Sequence, residues 1–497
     1  MRNAVQLITY ADRLGGGGLR DLFALLQGPL RGLFGGVHIL PFFHPIDGAD
    51  AGFDPIDHTQ VDSRLGSWED LQVMAVDYEL MADVIVNHMS ADSPQFLEYS
   101  SSPDADSLHD GLFLTRDSVF PGGATDEELR AIYRPRPGLP FTELRLANGA
   151  TLNAWTTFTP KQIDINVQHP QGAAYLQRIL ETFGSHGIRM IRLDAVGYAI
   201  KKRGTSCFML PETFEFIADF AQRARQRGME CLVEVHSYFR RQIEIARGVD
   251  WVYDFALPPL VLHAFSFHTA RCLKVWIGIR PTNALTVLDT HDGIGIVDVG
   301  ADPADRTAHP GLVPPAELDG LVERIHESSR GGSRLATGAA ACNLDLYQVN
   351  CTFYDALGRN DLQYLLARAV QFFLPGIPQV YYVGLLAGVN DMELLQHTGV
   401  GRDINRSYYT LDDVQAALRR PVVQRLCELM RLRNEHPAFQ GRFELLDTPP
   451  ASLQMRWTRG QDVATLSVDF ESLQYSIEFT GQNNMQRMDL STPLAAG

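Results

Sequence analysis

The sequence has few cysteines, no paired-cysteine motif and no long apolar run. Six cysteines are spread widely over 497 residues, and the absence of a CxxC argues against a structural zinc site or a disulfide framework. No run approaches the roughly 18 apolar residues of a membrane-spanning helix. The first residues, MRNAVQLITYADRL, lack the apolar stretch of a secretory signal, so we expect a reduced, cytoplasmic protein.

Positive charge is also scarce. Lys and Arg number 43 against 59 Asp and Glu, which gives a formal net charge of -16. Nucleic acids and anionic membranes bind basic surfaces, so we expect neither as a partner. A small anionic substrate stays compatible, because it needs only a few local cations. The run GGGG at 15–18 lacks the Lys-Ser/Thr ending of a phosphate loop and predicts a flexible turn.

Short apolar runs recur along the chain and alternate with helix-like segments. Several are continuously apolar, which is typical of parallel strands buried on both faces. We predict an α/β fold, a (β/α)8 TIM barrel, with a doubly wound sheet as the alternative. Polar residues that gather at the C-terminal ends of many strands favour the barrel. The predicted strands are 4–10, 36–42, 81–88, 187–195, 230–237, 250–256, 284–291 and 378–384.

Two stretches depart from this alternation. Residues 90–171, after the third strand, are rich in Pro, Gly, Ser and Asp and are too long for a simple loop, which predicts an inserted subdomain. From residue 434 onward, short alternating segments predict a small antiparallel β domain covering 434–497. The barrel would then comprise residues 1–89 and 172–433.

The stretch IRLDAV (191–196) carries two charges in a buried strand. Alternation sends Arg192 and Asp194 to the same side, toward the barrel interior. An opposite charge within about 4–6 Å lowers the pKa of a carboxyl group, so we expect Arg192 to keep Asp194 ionised, as a carboxylate nucleophile requires. For this pair taken alone, a structural ion pair is the better interpretation.

Residues at the ends of two further strands favour a catalytic role over a structural ion pair. The segment CLVEVHS places Glu234 and His236 on one face of the fifth strand, and VLDTHDG ends the seventh with His291 and Asp292. Three carboxylates and two histidines would share the rim where barrel enzymes work. One ionised and one protonated carboxyl, about 5–5.5 Å apart, are what a retaining glycosyl transfer needs. No pattern predicts a metal ion, and we expect no cofactor.

Four segments, DVIVNH (83–88), IRLDAV, LVEVHS (232–237) and VLDTHD (287–292), resemble the four strand-end motifs of the α-amylase family of glycoside hydrolases and transglycosidases. The resemblance implies that Asp194 is the nucleophile, Glu234 the general acid/base and Asp292 the transition-state stabiliser. It also implies that Arg192, His88 and His291 orient the nucleophile and hold glucosyl hydroxyl groups. Asn87 stands where many amylases bind calcium.

Longer segments, among them LPFFHPIDGADAGFDPIDHTQVDSRLGSW and NLDLYQVNCTFYDALGRND, are similar to the sucrose phosphorylase family, whose members are generally calcium-free. This resemblance implies a retaining exchange between sucrose plus inorganic phosphate and glucose 1-phosphate plus fructose, in a homodimer. Asp50 and Arg402 would clamp the far edge of the glucosyl ring. The remaining glucosyl contacts that it implies are Phe53, His88, Phe158, Gln162, Arg192, Tyr198, His236 and His291.

The acceptor side rests on the loop that contains DLYQVN. By the same resemblance, phosphate and fructose are bound by Arg136, Leu344, Asp345, Tyr347 and Gln348, with the loop alternating between the two acceptors. Cys351, Phe353 and Asp355 depart from the family pattern just beyond it, which weakens the assignment of fructose. The alternatives are phosphorylases for sucrose 6'-phosphate, glucosylglycerol or glucosylglycerate, a sucrose hydrolase or α-glucosidase, and a non-enzymatic binding protein. Non-enzymatic binding proteins of this kind lack the catalytic carboxylates, whereas this chain has all three.

Overall fold

The computed structural model describes the chain except for residues 49, 102–108, 135–137, 148, 304, 338–347, 482–483 and 491–497. Among the residues described, no helix has the length and apolar character needed to cross a membrane.

Eight parallel strands close into a barrel. Each pairs with its neighbours in the chain, and the last pairs with the first. Every strand overlaps one of the eight predicted runs, so the predicted TIM barrel is confirmed and the doubly wound alternative is wrong. The strands are β1 Gln6–Thr9, β2 Gly36–Ile39, β3 Glu79–Ile85, β4 Ile188–Asp194, β5 Glu230–Val233, β6 Trp251–Asp254, β7 Ala284–Thr286 and β8 Ile377–Tyr381.

Helices surround the barrel and bury their apolar faces against it. Four of them start with proline at the first helical position, where its missing N–H is not needed. The helices Pro170–Ser185 and Pro211–Arg225 are followed by Gly187 and Gly228, both with positive φ. The outer helices are Leu19–Gln27, Trp68–Asp77, Pro170–Ser185, Pro211–Arg225, Phe239–Ala246, Leu257–Phe267, Arg271–Ile279, Pro315–Ser328, Asp361–Phe373 and Pro421–Glu435.

The segment between β3 and β4 forms a separate layer over the C-terminal end of the barrel. Its antiparallel hairpin joins Phe141–Arg145 to Thr151–Trp155, and Gln162–Asp164 pairs with His88–Ser90. Its helices are Pro94–Ser101, Arg116–Val119 and Asp126–Ala131. This layer forms one wall of the pocket described below.

A five-stranded antiparallel sheet follows the barrel. It confirms the predicted C-terminal β region, while the domain boundaries at 89/90, 171/172 and 433/434 stay a proposal. Its strands are β9 Arg442–Leu446, β10 Ser452–Arg459, β11 Asp462–Asp469, β12 Tyr475–Thr480 and β13 Met485–Met488.

Short elements connect these parts. Two-stranded pairings join Leu14–Gly15 to Tyr409–Thr410, Phe43–His44 to Asp57–Val61, and Ile294–Gly295 to Gln348–Val349. Short helical segments are Val196–Tyr198, Gly332–Thr337, Phe353–Ala356, Tyr382–Leu385, Met392–Thr398, Gly401–Asn405, Leu411–Leu418 and Pro437–Gln440.

Candidate active site

A pocket opens at the C-terminal end of the barrel strands. Every residue predicted to be catalytic or to bind the glucosyl unit lines it, except Arg192, which contacts its carboxylates from inside the barrel. The lining comprises Asp50, Phe53, His88, Phe158, Gln162, Asp194, Ala195, Tyr198, Glu234, His236, His291, Asp292, Gln348 and Arg402.

Arg192 joins the carboxylates of this pocket. Its Nη1 donates to Asp83 Oδ1 at 2.6 Å and to Asp194 Oδ1 at 2.9 Å. Its Nη2 lies 3.2 Å from Glu234 Oε1 and 4.0 Å from Asp292 Oδ2. A guanidinium group presents several donors in one plane, so a single buried cation lies among four carboxyl groups that come from four strands or from the residues after them.

Burial changes the expected charge of Asp194. Burial raises the pKa of this carboxyl, Arg192 lowers it, and Glu234 raises it again, with a net value well above the ordinary one. Arg192 does lower this pKa, as expected, but it does not keep the net value low, because burial and the neighbouring carboxylates outweigh it. The Asp194 carboxyl consequently holds a proton to a higher pH than an isolated carboxyl group would.

Asp292 has the opposite environment. Burial disfavours its charged form, but Arg402, His291 and His236 together bring its pKa well below the usual range. Arg402 Nη1 lies 2.9 Å from Asp292 Oδ1 and 3.9 Å from Asp50 Oδ2. Arg402 therefore contacts the candidate stabiliser more closely than it contacts Asp50, its predicted clamp partner, and Asp292 is the carboxylate that stays ionised.

Glu234 lies just beyond its strand rather than within it, because β5 ends at Val233. Its Oε2 accepts the backbone N–H of Ala195 at 3.2 Å. Ala195 has a φ of 54°, in the left-handed region that non-glycine residues seldom adopt. The turn after Asp194 thus points a backbone donor at the neighbouring carboxylate.

Three histidines contribute to the pocket wall. His236 Nδ1 donates to the buried Asp298 Oδ2 at 2.8 Å, and His88 Nε2 donates to the carbonyl of Phe53 at 2.9 Å. Burial lowers the pKa of His291 well below its usual value and that of His88 as well, so both are neutral rings. Neutral imidazoles can donate and accept hydrogen bonds to hydroxyl groups.

Three aromatic residues predicted to contact the glucosyl unit, Phe53, Phe158 and Tyr198, line the pocket. Phe158 packs edge-on against Tyr198 with ring centroids 5.2 Å apart, and against His88 at 5.6 Å. Phe53 stacks on His291 at 4.9 Å. These rings leave an apolar surface opposite the carboxylates, as a sugar face needs.

Asn87 contacts a lysine. Its Oδ1 accepts from Lys201 Nζ at 2.8 Å, and the same ammonium lies 2.7 Å from Asp164 Oδ2. The carbonyl oxygen of Tyr198 is a third partner. Oxygen groups of this kind would suit a calcium ion, but here they surround the cationic end of a buried side chain, which does not fit a metal at this position.

The acceptor assignments fall partly outside the described residues. Gln348 lines the pocket and its Oε1 accepts the backbone N–H of Gly293 at 3.3 Å, whereas Arg136, Leu344, Asp345 and Tyr347 are not among the residues described.

The three departures from the family pattern are buried behind the pocket. Asp355 Oδ2 accepts the backbone N–H of Asn390 at 2.6 Å, and Cys351 and Phe353 are almost fully buried. None of the three lines the pocket. Their expected effect on acceptor choice therefore lacks a direct contact in the described part of the chain.

Sequence reasoning missed three groups that hold the site. They are Asp83, Lys201 and Asp298. A charge within the apolar run MADVIV is the same signal that drew attention to Arg192, and it would have found Asp83. Lys201 and Asp298 lie in loops with no such signal.

The chain is similar to known proteins over nearly its whole length. A family model described as the α-amylase catalytic domain matches residues 33–244. A protein of Agrobacterium vitis named sucrose phosphorylase is 58% identical over 97% of this chain and 98% of its own length. Another so named, from Bifidobacterium adolescentis, is 53% identical over 94% of this chain and 92% of its own.

A solved structure has the same fold. The crystal structure of sucrose 6F-phosphate phosphorylase from Thermoanaerobacter thermosaccharolyticum superposes with a TM-score of 0.89 at 36% identity, covering 98% of each chain. The chain therefore belongs to the α-amylase family and, within it, to the sucrose phosphorylase family.

Proposed function

We propose that this protein is a sucrose phosphorylase, which transfers a glucosyl unit reversibly between sucrose and inorganic phosphate with retention of the α configuration. The observation that carries the proposal is the convergence of Asp194, Glu234 and Asp292 in one pocket. That pocket also offers hydrogen-bonding groups and an aromatic face for one sugar ring. Membership of the sucrose phosphorylase family supports the choice of substrate.

In the first step, the carboxylate of Asp194 attacks C1 of the glucosyl unit, and the bond from C1 to the fructosyl oxygen breaks. Glu234 gives its proton to that oxygen, so fructose leaves as a neutral molecule and Glu234 becomes a carboxylate. Asp292, the carboxylate with the lowered pKa, stabilises the cationic character that develops at C1.

In the second step, an oxygen of phosphate attacks C1 and the ester bond to Asp194 breaks. The attacking oxygen passes its proton to Glu234, which restores both carboxyl groups. Two inversions at C1 give α-D-glucose 1-phosphate. The mechanism requires Asp194 to be ionised and Glu234 to be protonated when the sugar is bound, and the approach of the electron-poor C1 to Asp194 favours the ionised form of Asp194.

The test is product analysis. The protein is incubated with sucrose with and without phosphate, and glucose 1-phosphate, glucose and fructose are quantified. We expect glucose 1-phosphate in the α configuration, equal in amount to fructose, and no product from Asp194→Asn at the same enzyme concentration. Glucose as the sole glucosyl product would identify a hydrolase. Reaction only with sucrose 6'-phosphate, glucosylglycerol or glucosylglycerate would identify a related phosphorylase.

We further propose that the protein works in the cytoplasm as a homodimer and needs no metal ion or cofactor. Light scattering after size-exclusion chromatography should give twice the chain mass of 55.3 kDa. A chelator should leave the phosphorolysis rate unchanged, because Lys201 supplies the positive charge beside Asn87 and Asp164.

A further inference from the structure

A carboxylate that was not predicted as a site residue forms a hydrogen bond with His236 in the pocket wall. Asp298 is fully buried and lies in the loop that follows β7. Its Oδ2 accepts from His236 Nδ1 at 2.8 Å, while its Oδ1 accepts from the backbone N–H of Ser237 at 3.1 Å and from Gln242 Nε2 at 2.8 Å. Burial raises the pKa of Asp298, while His236 and the donors of Ser237 and Gln242 oppose that rise. As a carboxylate, Asp298 can only accept hydrogen bonds, which places the proton on this edge of His236 at Nδ1.

The surroundings hold the imidazole in one orientation. Its ring stacks on Phe255 with centroids 3.8 Å apart, and Nε2 points toward the pocket, 4.0 Å from Glu234 Oε1. Gly295 leaves room for the pair, because a Cβ atom there would lie 2.0 Å from Asp298 Oδ2 and 3.0 Å from His236 Nδ1. Asp298, Phe255 and Gly295 therefore fix the position of the His236 ring together.

The charged groups around His236 favour its cationic form. Burial lowers the pKa of this ring, but Asp298, Glu234 and Asp292 outweigh burial and raise it above the ordinary value. The nearby cations, Arg192 and Arg402, are each in contact with those carboxylates.

The position of His236 matters for the acceptor. In the proposed reaction, Glu234 touches first the leaving oxygen and then the attacking one. A cation 4.0 Å from the carboxylate of Glu234 therefore lies next to the incoming acceptor, and phosphate gains more from it than water does.

We propose that Asp298 is a positioning residue for acceptor choice, which fixes His236 as a cation with Nε2–H facing the pocket and so favours phosphate over water. This inference rests on the proposed phosphorylase function. It adds a fixed cation to the acceptor side.

The variant Asp298→Asn tests the idea directly. The backbone N–H of Ser237 cannot reverse its polarity, so the new amide keeps its oxygen there and turns its NH2 group toward His236 Nδ1. That makes Nδ1 an acceptor and the ring neutral. We expect the KM for phosphate to rise about tenfold or more, a larger factor than the change in the rate of sucrose hydrolysis without phosphate.

Simple electrostatics predicts the opposite result. Removing a buried negative charge without any effect on His236 would improve the binding of a phosphate dianion. An unchanged or lower KM for phosphate in Asp298→Asn therefore overturns the proposal.

The pH dependence provides a second readout. In the wild type, phosphate affinity should fall as the pH rises through the raised pKa of His236, because the ring then loses its charge. This dependence should be missing from Asp298→Asn. Titration of phosphate itself affects both proteins equally, so the ratio of their KM values isolates the imidazole. A ratio that does not change with pH contradicts the proposal.

Two further variants distinguish the positioning of His236 by Asp298 from a general destabilisation of the surrounding structure. His236→Gln should reproduce the loss, and adding Asp298→Asn to it should cause no further loss; additive losses overturn the proposal. Gln242→Met removes a different partner of Asp298 and should leave the KM for phosphate within about twofold. Melting temperatures check that each variant is folded.

Proton NMR decides the hydrogen bond without reference to activity. A downfield Nδ1–H resonance should be present in the wild type and in Gln242→Met and absent from Asp298→Asn and His236→Gln. Its persistence in Asp298→Asn overturns the proposed bond. If the wild type forms no glucose 1-phosphate, the phosphorylase function fails, while the NMR result still decides whether Asp298 fixes His236.

Discussion

Lys201 places a buried positive charge between the barrel and the inserted segment. Its ammonium contacts Asp164 and Asn87, and Asp164 also accepts from the backbone and hydroxyl of Thr157 at 3.0 and 2.5 Å. Removing one partner of a buried ion pair leaves the other charge without compensation. The stability of this pocket wall therefore depends on the side chain of Lys201.

We predict that Lys201→Met lowers the free energy of unfolding by roughly 3–5 kcal/mol. Lys202→Met is the matched control, since its side chain is 58% exposed and pairs with Glu212 on the surface. That change should lower the unfolding free energy by less than about 1 kcal/mol. Denaturant unfolding at pH 7 measures both, and equal effects would contradict the assignment.

The raised pKa of Asp194 predicts the acid side of the pH profile. A carboxylate nucleophile works only when ionised, so kcat/KM should be full above the pKa of Asp194 and fall as the pH drops through it. The neighbour Glu234 is one cause of the raised pKa. In Glu234→Gln that cause is absent, and the acid limb should move to lower pH.

The substrate α-glucosyl fluoride makes this comparison possible, because fluoride leaves without a proton from Glu234. Turnover of sucrose by Glu234→Gln should fall by about 10²–10⁴, while fluoride release persists and reports the ionisation of Asp194. An acid limb at the same pH in both proteins would show that Glu234 does not raise the pKa of Asp194.

At the scale of elements, the turn after β4 joins the nucleophile to the acid/base. Ala195 adopts a φ of 54° and its N–H reaches Glu234. A left-handed conformation costs an L-residue roughly 1–2 kcal/mol, and a β-branched side chain tolerates it least.

We predict that Ala195→Val lowers kcat/KM for sucrose and the melting temperature, because the turn cannot keep its φ. Ala195→Gly should preserve the activity within about threefold and leave stability unchanged or slightly higher. Steady-state kinetics and thermal unfolding check both changes. A fully active Ala195→Val variant would mean that the turn geometry is not required.

The strands were predictable because a barrel strand is buried on both faces, and its apolar run stands out between helices. The ends of the strands were harder to predict. The fifth strand was expected to continue to residue 237, but β5 ends at Val233, so Glu234 and His236 lie beyond it. The net pKa direction of Asp194 was missed because it depends on how deeply folding buries this carboxyl and on how close Glu234 and Asp83 come to it. Asp298 lies 62 positions from His236, and only folding brings the two together.

At the scale of the whole molecule, the C-terminal sheet shares one core with the barrel. A continuous cluster of buried side chains includes Leu366 and Phe373 of an outer helix together with Met455 and Trp457 of β10. Ten consecutive residues of that helix, from Tyr364 to Phe373, are buried, since the barrel covers one side and the sheet contributes to covering the other. Trp457 Nε1 donates to the carbonyl of Phe373 at 2.7 Å.

This shared core predicts that barrel and sheet unfold together. Trp457→Ala should lower the free energy of unfolding by about 3–5 kcal/mol and shift one calorimetric transition downward, with activity lost in the same temperature range. Met485→Ala, at a side chain that is 54% exposed, is the control and should leave the transition in place. If Trp457→Ala instead produces an early transition that leaves phosphorolysis intact, the sheet is an independent unit. The active site would then need only the barrel and its inserted segment.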